Sequence, residues 1–156
     1  MRKRIMTAAA IAGLLFAAAA NAVRDIGYEA KADPFAVVAT AVKQAAAEKK
    51  LVLVIAGGDW CIWCHYLYDF LEGNDDINGA LHELFVIAKV YKGDDNENKE
   101  FYATLPKAAG YPHFWILGSD GKLLQSQDTV VLEDGGKSYD RVAWENFLAR
   151  WRERGP

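Results

Sequence analysis

The sequence predicts an α/β fold, a mixed central sheet of about four strands flanked by helices on both faces. Residues 51–56 are continuously apolar, as expected of a strand buried on both sides. A second run, residues 85–91, apolar except for Lys89, follows after helical stretches, which makes a β-α-β unit with a parallel pair. Further on, residues 113–117 and 122–127 flank Gly118-Ser-Asp-Gly121, whose composition is that of a hairpin turn, so these two strands pair antiparallel.

The elements follow in order. Arg2, Lys3 and Arg4 precede an apolar run from Ile5 to Ala20 that ends in Ala20-Asn21-Ala22, the pattern of a secretory signal peptide cleaved after Ala22. Residues 23–32 form an extended lead-in, and residues 33–156 the domain itself. Asp33-Pro34 starts a helix, with Asp33 able to cap free amides and Pro34 tolerated in the first turn. Phe35, Val38, Val42 and Ala45 or Ala46 recur at helical spacing. That helix runs about four turns. After the first strand, Gly57-Gly58-Asp59 turns the chain into a helix from Cys61 to about Glu72, which sends Leu67, Phe70 and Leu71 to the core and ends at Gly73-Asn74. Asp75 or Asp76 caps a short helix through Leu84. Residues 93–99 are a polar loop, and 99–105 a short helix stopped by Pro106. A final helix carries Trp144, Phe147, Leu148 and Trp151 at offsets of three, four and seven, a core-facing stripe.

A chain of 156 residues holds one domain with a real core. Its formal charge is −3, and −6 once the three basic residues of the signal are removed, because residues 1–22 contain no acid. With no basic stripe elsewhere, phosphate neutralisation has no surface to work from, and nucleic acid is not an expected partner. The only two cysteines lie in Trp60-Cys61-Ile62-Trp63-Cys64-His65, between the first strand and its helix. Export permits a static disulfide, but a ring of so few residues restrains the unfolded chain little. Reversible chemistry fits better. Free amides and the dipole at a helix start stabilise a thiolate, the species that attacks a disulfide, so Cys61 is the expected nucleophile and Cys64, one turn on, the resolving thiol.

An apolar strand, an aromatic residue, Cys-x-x-Cys, and Gly110-Tyr111-Pro112 ahead of a later strand together resemble thioredoxin, over roughly residues 33–151. The resemblance implies a thioredoxin-like fold and a cis Pro112 facing the cysteines, with the Tyr111 backbone binding an extended substrate segment. Lys89 matches a strand lysine of thioredoxin that lies below the site. Two features depart from the pattern. Ile62-Trp63 stands where thioredoxin has Gly-Pro, a bulk that implies a selective partner range. Ile55 stands where thioredoxin buries a carboxylate, six positions before the first cysteine. Asp59 and Glu72 are the nearest acids, and the proton acceptor for Cys64 is unassigned. His65 and Trp60 complete the set of residues expected to modulate the cysteines, a positive imidazole favouring thiolate.

The expected function is an exported, periplasmic thiol–disulfide oxidoreductase that reduces protein disulfides through a mixed disulfide on Cys61. Its expected partners are protein thiols and disulfides plus a redox partner, through which alone it contacts a membrane, and it is expected to be a monomer without metal or cofactor. Two alternatives stand beside it. One is a non-catalytic peptide-binding module with Trp60, Trp63, Tyr111 and Trp115 as an aromatic surface. The other is a c-type haem protein, since Cys-x-x-Cys-His is also the attachment pattern. Met1 and Met6 both fall in the signal, so a sixth haem ligand would be His82 or His113, and the β-α-β context is foreign to small cytochromes. Zinc is weaker, with Cys61, Cys64 and His65 crowded together and a fourth ligand again from His82 or His113.

Overall fold

The computed structural model describes residues 23–155, and the expected signal peptide lies outside them. Helix α1 (Pro34–Glu48) starts where the Asp33 carboxylate accepts the Phe35 N–H at 3.0 Å and ends at Lys49, in the left-handed region with φ 55°. Strand β1 (Leu51–Gly57) is buried throughout. Helix α2 (Ile62–Glu72) and helix α3 (Asp75–Leu84) lead into β2 (Phe85–Tyr91). Helix α4 (Lys99–Tyr102), β3 (His113–Leu117), β4 (Leu123–Asp128), a 3-10 turn at Thr129–Leu132 and helix α5 (Arg141–Arg154) complete the chain.

The sheet order is β2-β1-β3-β4, with β1 and β2 parallel and the other pairs antiparallel. Strand alternation divides the core in two. Leu51, Leu53 and Ile55 of β1 face α2, α3 and α5 together with Phe114 and Ile116 of β3. Val52, Val54 and Ala56 face α1 and α4 with Trp115 and Leu117. Helices therefore cover both faces, as the apolar runs require. The α5 stripe of Trp144, Phe147, Leu148 and Trp151 is wholly buried on the first face.

Four elements differ from their expected bounds, each for a local reason. Cys61 caps α2 from outside rather than opening it. Asn74, not an aspartate, occupies the cap of α3, its side-chain amide turned back to the Phe70 carbonyl at 2.7 Å. Helix α4 stops at Tyr102 because Pro106 holds Leu105 out of helical backbone and Thr104 closes a turn onto the Phe101 carbonyl at 2.7 Å. Strand β4 begins at Leu123 because Lys122 belongs to the turn, its carbonyl accepting Gly118 N–H at 2.9 Å. Residues 23–32 form no strand or helix, yet Ile26 and Tyr28 are buried in the α2-side core.

Candidate active site

Cys61 and Cys64 are joined in a disulfide at the N-terminus of α2, with Cα atoms 5.2 Å apart. Cys61 Sγ accepts the Cys64 N–H at 3.2 Å, so this sulfur takes the capping role that a serine or aspartate oxygen fills elsewhere. A thiolate there meets free amides and the positive end of the helix dipole. Both cysteines are only 3% exposed. They differ in what they face. Cys64 lines a cavity of about 450 Å³ with Ile26, Tyr28, Ile55, Glu72 and Lys89, and Cys61 does not.

The Tyr111–Pro112 peptide is cis. Pro112 is buried and its carbonyl accepts the Thr129 hydroxyl at 2.7 Å. Tyr111 is half-buried and meets Trp60 edge to face, with ring centroids 6.1 Å apart. Trp60 donates its indole N–H to the Lys92 carbonyl at 2.6 Å, which pins the residue before Cys61 to the loop after β2. With 53% exposure at Trp60 and 57% at Ile62, the open surface beside the disulfide is apolar. Trp63 is turned inward, edge-on to Tyr66 and Tyr139 at 5.2 and 6.1 Å.

A strand, a Cys-x-x-Cys helix start and a Pro112 loop in this arrangement can be set against known families. The sequence profile described as thioredoxin-like matches residues 33–119, more than half of the chain. The chain belongs to the thioredoxin-like family. A crystal structure of a disulphide isomerase from Xylella fastidiosa Temecula1 superposes on this thioredoxin-like chain with a TM-score of 0.68 at 23% identity, covering 81% of this chain and 96% of that one. A DsbH oxidoreductase matches more loosely, with a TM-score of 0.43 at 13% identity, over 98% of this chain and 95% of that one. No curated protein sequence matches it.

Within this thioredoxin-like frame, Lys89 pairs in register with Ile55 and points to the α2 face of the sheet. Its ammonium donates to the Ile26 carbonyl and lies 5.7 Å from the Tyr28 ring centroid and 5.6 Å from that of Tyr68. Burial pulls the Lys89 pKa below its ordinary value, against the opposing pull of Asp59, Asp25 and Glu72. His65 donates from Nε2 to the Asp59 carbonyl at 2.7 Å, and its Nδ1 lies 3.4 Å from an Arg24 guanidinium nitrogen, itself only a donor. Both ring nitrogens are thus engaged with the loop and the chain start.

Trp115 does not join the aromatic surface expected of it. It is 1% exposed and donates to the Pro106 carbonyl at 3.1 Å, because alternation along β3 sends it to the α1 face, opposite Phe114 and Ile116. Asp59 binds the Ile26 N–H at 3.1 Å, while Glu72 lines the cavity with Cys64. Sequence reasoning missed the contribution of residues 23–32, for which the alternation of Ile26 and Tyr28 was the only local signal.

Proposed function

We propose that this protein is an exported thiol–disulfide oxidoreductase that reduces protein disulfides. The observation that carries the proposal is the Cys61–Cys64 disulfide at the start of α2, with Cys61 Sγ on the Cys64 amide and the Tyr111–Pro112 loop alongside. In the reduced protein the Cys61 thiolate attacks a partner disulfide. One partner sulfur leaves as thiolate and takes up a proton, and the other is held on Cys61. The Cys64 thiolate then attacks Cys61 Sγ, the bond to the partner breaks, and the Cys61–Cys64 disulfide forms. Two electrons pass to the partner, and a dithiol donor restores the cycle. The backbone of Tyr111 binds an extended segment of the partner, and the apolar surface of Trp60 and Ile62 restricts which segments fit.

Export rests on Arg2, Lys3 and Arg4, the apolar run after them and Ala20-Asn21-Ala22, with the mature chain starting at Val23 and the domain at Asp33. Among the described residues no helix is long and apolar enough to cross a membrane. The thioredoxin-like fold supports exchange over haem attachment.

The test uses purified Cys64→Ala protein and a disulfide-bonded model protein. A reductant-sensitive adduct on Cys61, absent from Cys61→Ala, is the expected result, and non-covalent association alone overturns the exchange reading in favour of a binding module. The reduction potential then sets the direction. A value near −270 mV, roughly that of thioredoxin, fits a reductase, and one near −120 mV, about that of a strong oxidant, reverses the assignment.

A further inference from the structure

Resolution of the mixed disulfide needs Cys64 as a thiolate, yet the position that supplies thioredoxin's carboxylate is Ile55, an aliphatic side chain that neither holds nor moves a proton. What lies under Cys64 comes instead from the start of the chain. A Cβ added to Gly57 would meet both Cys64 Sγ and the Tyr28 hydroxyl, the latter at 2.9 Å. The sulfur and the hydroxyl therefore crowd the same point beside Gly57, with too little room there for a methyl group. Tyr28 is 7% exposed, and Lys89 Nζ stands over its ring inside the same cavity.

This placement is not that of a loose tail. Ile26 is held through both of its flanking peptide groups, its N–H donating to Asp59 and its carbonyl accepting from Lys89. The Ala30 carbonyl accepts the Asn96 side-chain amide at 2.9 Å, and Arg24 pairs with Asp69 at 2.8 Å. These ties run to the cysteine loop, β2, the loop after β2 and α2 in turn. Residues 23–32 are a strap across the base of the site, with Ile26 and Tyr28 its buried side chains.

We propose that Tyr28 is the hydrogen-bond donor to the Cys64 thiolate, so that this strap completes the resolving half of the site. The proposal rests on the exchange reading above. In the mixed disulfide, Cys64 gives its proton to solvent entering the cavity. Its thiolate then accepts the Tyr28 O–H and attacks Cys61 Sγ, which breaks the Cys61–partner bond and forms Cys61–Cys64. The partner leaves as a thiolate and is protonated by solvent. Tyr28 keeps its proton throughout, which suits a phenol that burial pushes well above its ordinary pKa. The effect is confined to Cys64, because Cys61 already has the Cys64 amide and does not line the cavity.

Tyr28→Phe in the mature protein removes the hydroxyl alone. The Cys64 pKa is read from the pH dependence of its alkylation in a Cys61→Ala background. Resolution is read from the release of a chromogenic aryl thiol preloaded on Cys61. Loss of a hydrogen bond to a charged sulfur predicts a Cys64 pKa higher by about one unit and release slower by roughly tenfold. Alkylation of Cys61 in a Cys64→Ala background is expected to be unchanged. Tyr28→Met, which also lacks the hydroxyl, is expected to move Cys64 the same way and carries the test if Tyr28→Phe does not fold. An unchanged Cys64 pKa, or an equal shift at Cys61, overturns the proposal. A wild-type protein that never releases the aryl thiol counts against exchange itself. The Cys64 pKa, measured where no exchange takes place, still decides the role of Tyr28.

Discussion

Gly57, the last residue of β1, shows how closely Cys64 is packed. Its backbone is that of an ordinary strand, so nothing about φ demands glycine there. The demand is steric: a Cβ would press on Cys64 Sγ, on the Tyr28 hydroxyl and on Tyr28 Cζ, the last at 3.2 Å. A disulfide sulfur cannot swing away, and the Tyr28 ring is locked in the core. Gly57→Ala is expected to destabilise the oxidised protein by about 1–3 kcal/mol, the usual cost of overpacking. The reduced protein should lose less, since a free thiol can change rotamer. Urea unfolding of both forms checks this, and an unchanged midpoint in the oxidised form would show that the space is not tight. At this scale the cysteine roles were legible in the sequence, because a Cys-x-x-Cys at a helix start puts sulfur and amide together through local geometry alone. Tyr28 was not legible, since only the folded path of residues 23–32 brings it to Gly57.

Helix α5 depends on its cap as much as on its stripe. Asp140 accepts the Ala143 N–H at 2.6 Å, and the helix so started sends Trp144, Phe147, Leu148 and Trp151 against Phe85, Phe114 and Phe70. Loss of that cap, in Asp140→Ala, is expected to cost about 1 kcal/mol, read as a lower thermal midpoint without a change in fold. A midpoint equal to wild type would place the start of the helix under the control of packing rather than capping. The stripe was legible because about two turns of aromatic and aliphatic residues outweigh any local alternative, and β1 and β2 were legible because β1 is apolar from end to end and β2 at every position but Lys89. The start of helix α4 was legible too, but its end and the 3-10 turn were not. Each is a single short turn whose bounds are set by neighbours, Pro106 in one case and the Asp128 carboxylate on Val130 N–H at 3.2 Å in the other.

For the whole molecule the main consequence of burying β3 between two helical layers falls on His113. It is 4% exposed, its ring tilted against that of Trp115 with centroids 4.6 Å apart, with Nε2 on the Ser126 hydroxyl at 2.8 Å and Nδ1 buried without a partner among the described residues. Burial lowers its pKa, and Asp128 across the β3–β4 pair pulls only partly the other way. The folded protein therefore keeps His113 neutral where the unfolded chain, with a histidine pKa of about 6.5, takes up a proton. Below that pH the unfolded state binds more protons, so stability falls as the solution is acidified. The paired surface carboxylates act in a separate window. Asp76, Asp120, Glu48 and Glu97 have pKa values lowered by Arg141, Lys122, Lys50 and Lys99, so their contribution persists down to the ordinary carboxylate range and is lost only beneath it. A thermal midpoint that is level near neutral pH and drops between about pH 6.5 and pH 5 is the expected signature of His113. His113→Gln, which cannot titrate, should flatten that segment while leaving the steeper loss below about pH 4 in place. A drop between pH 6.5 and pH 5 that survives the substitution would assign the proton to a group outside β3.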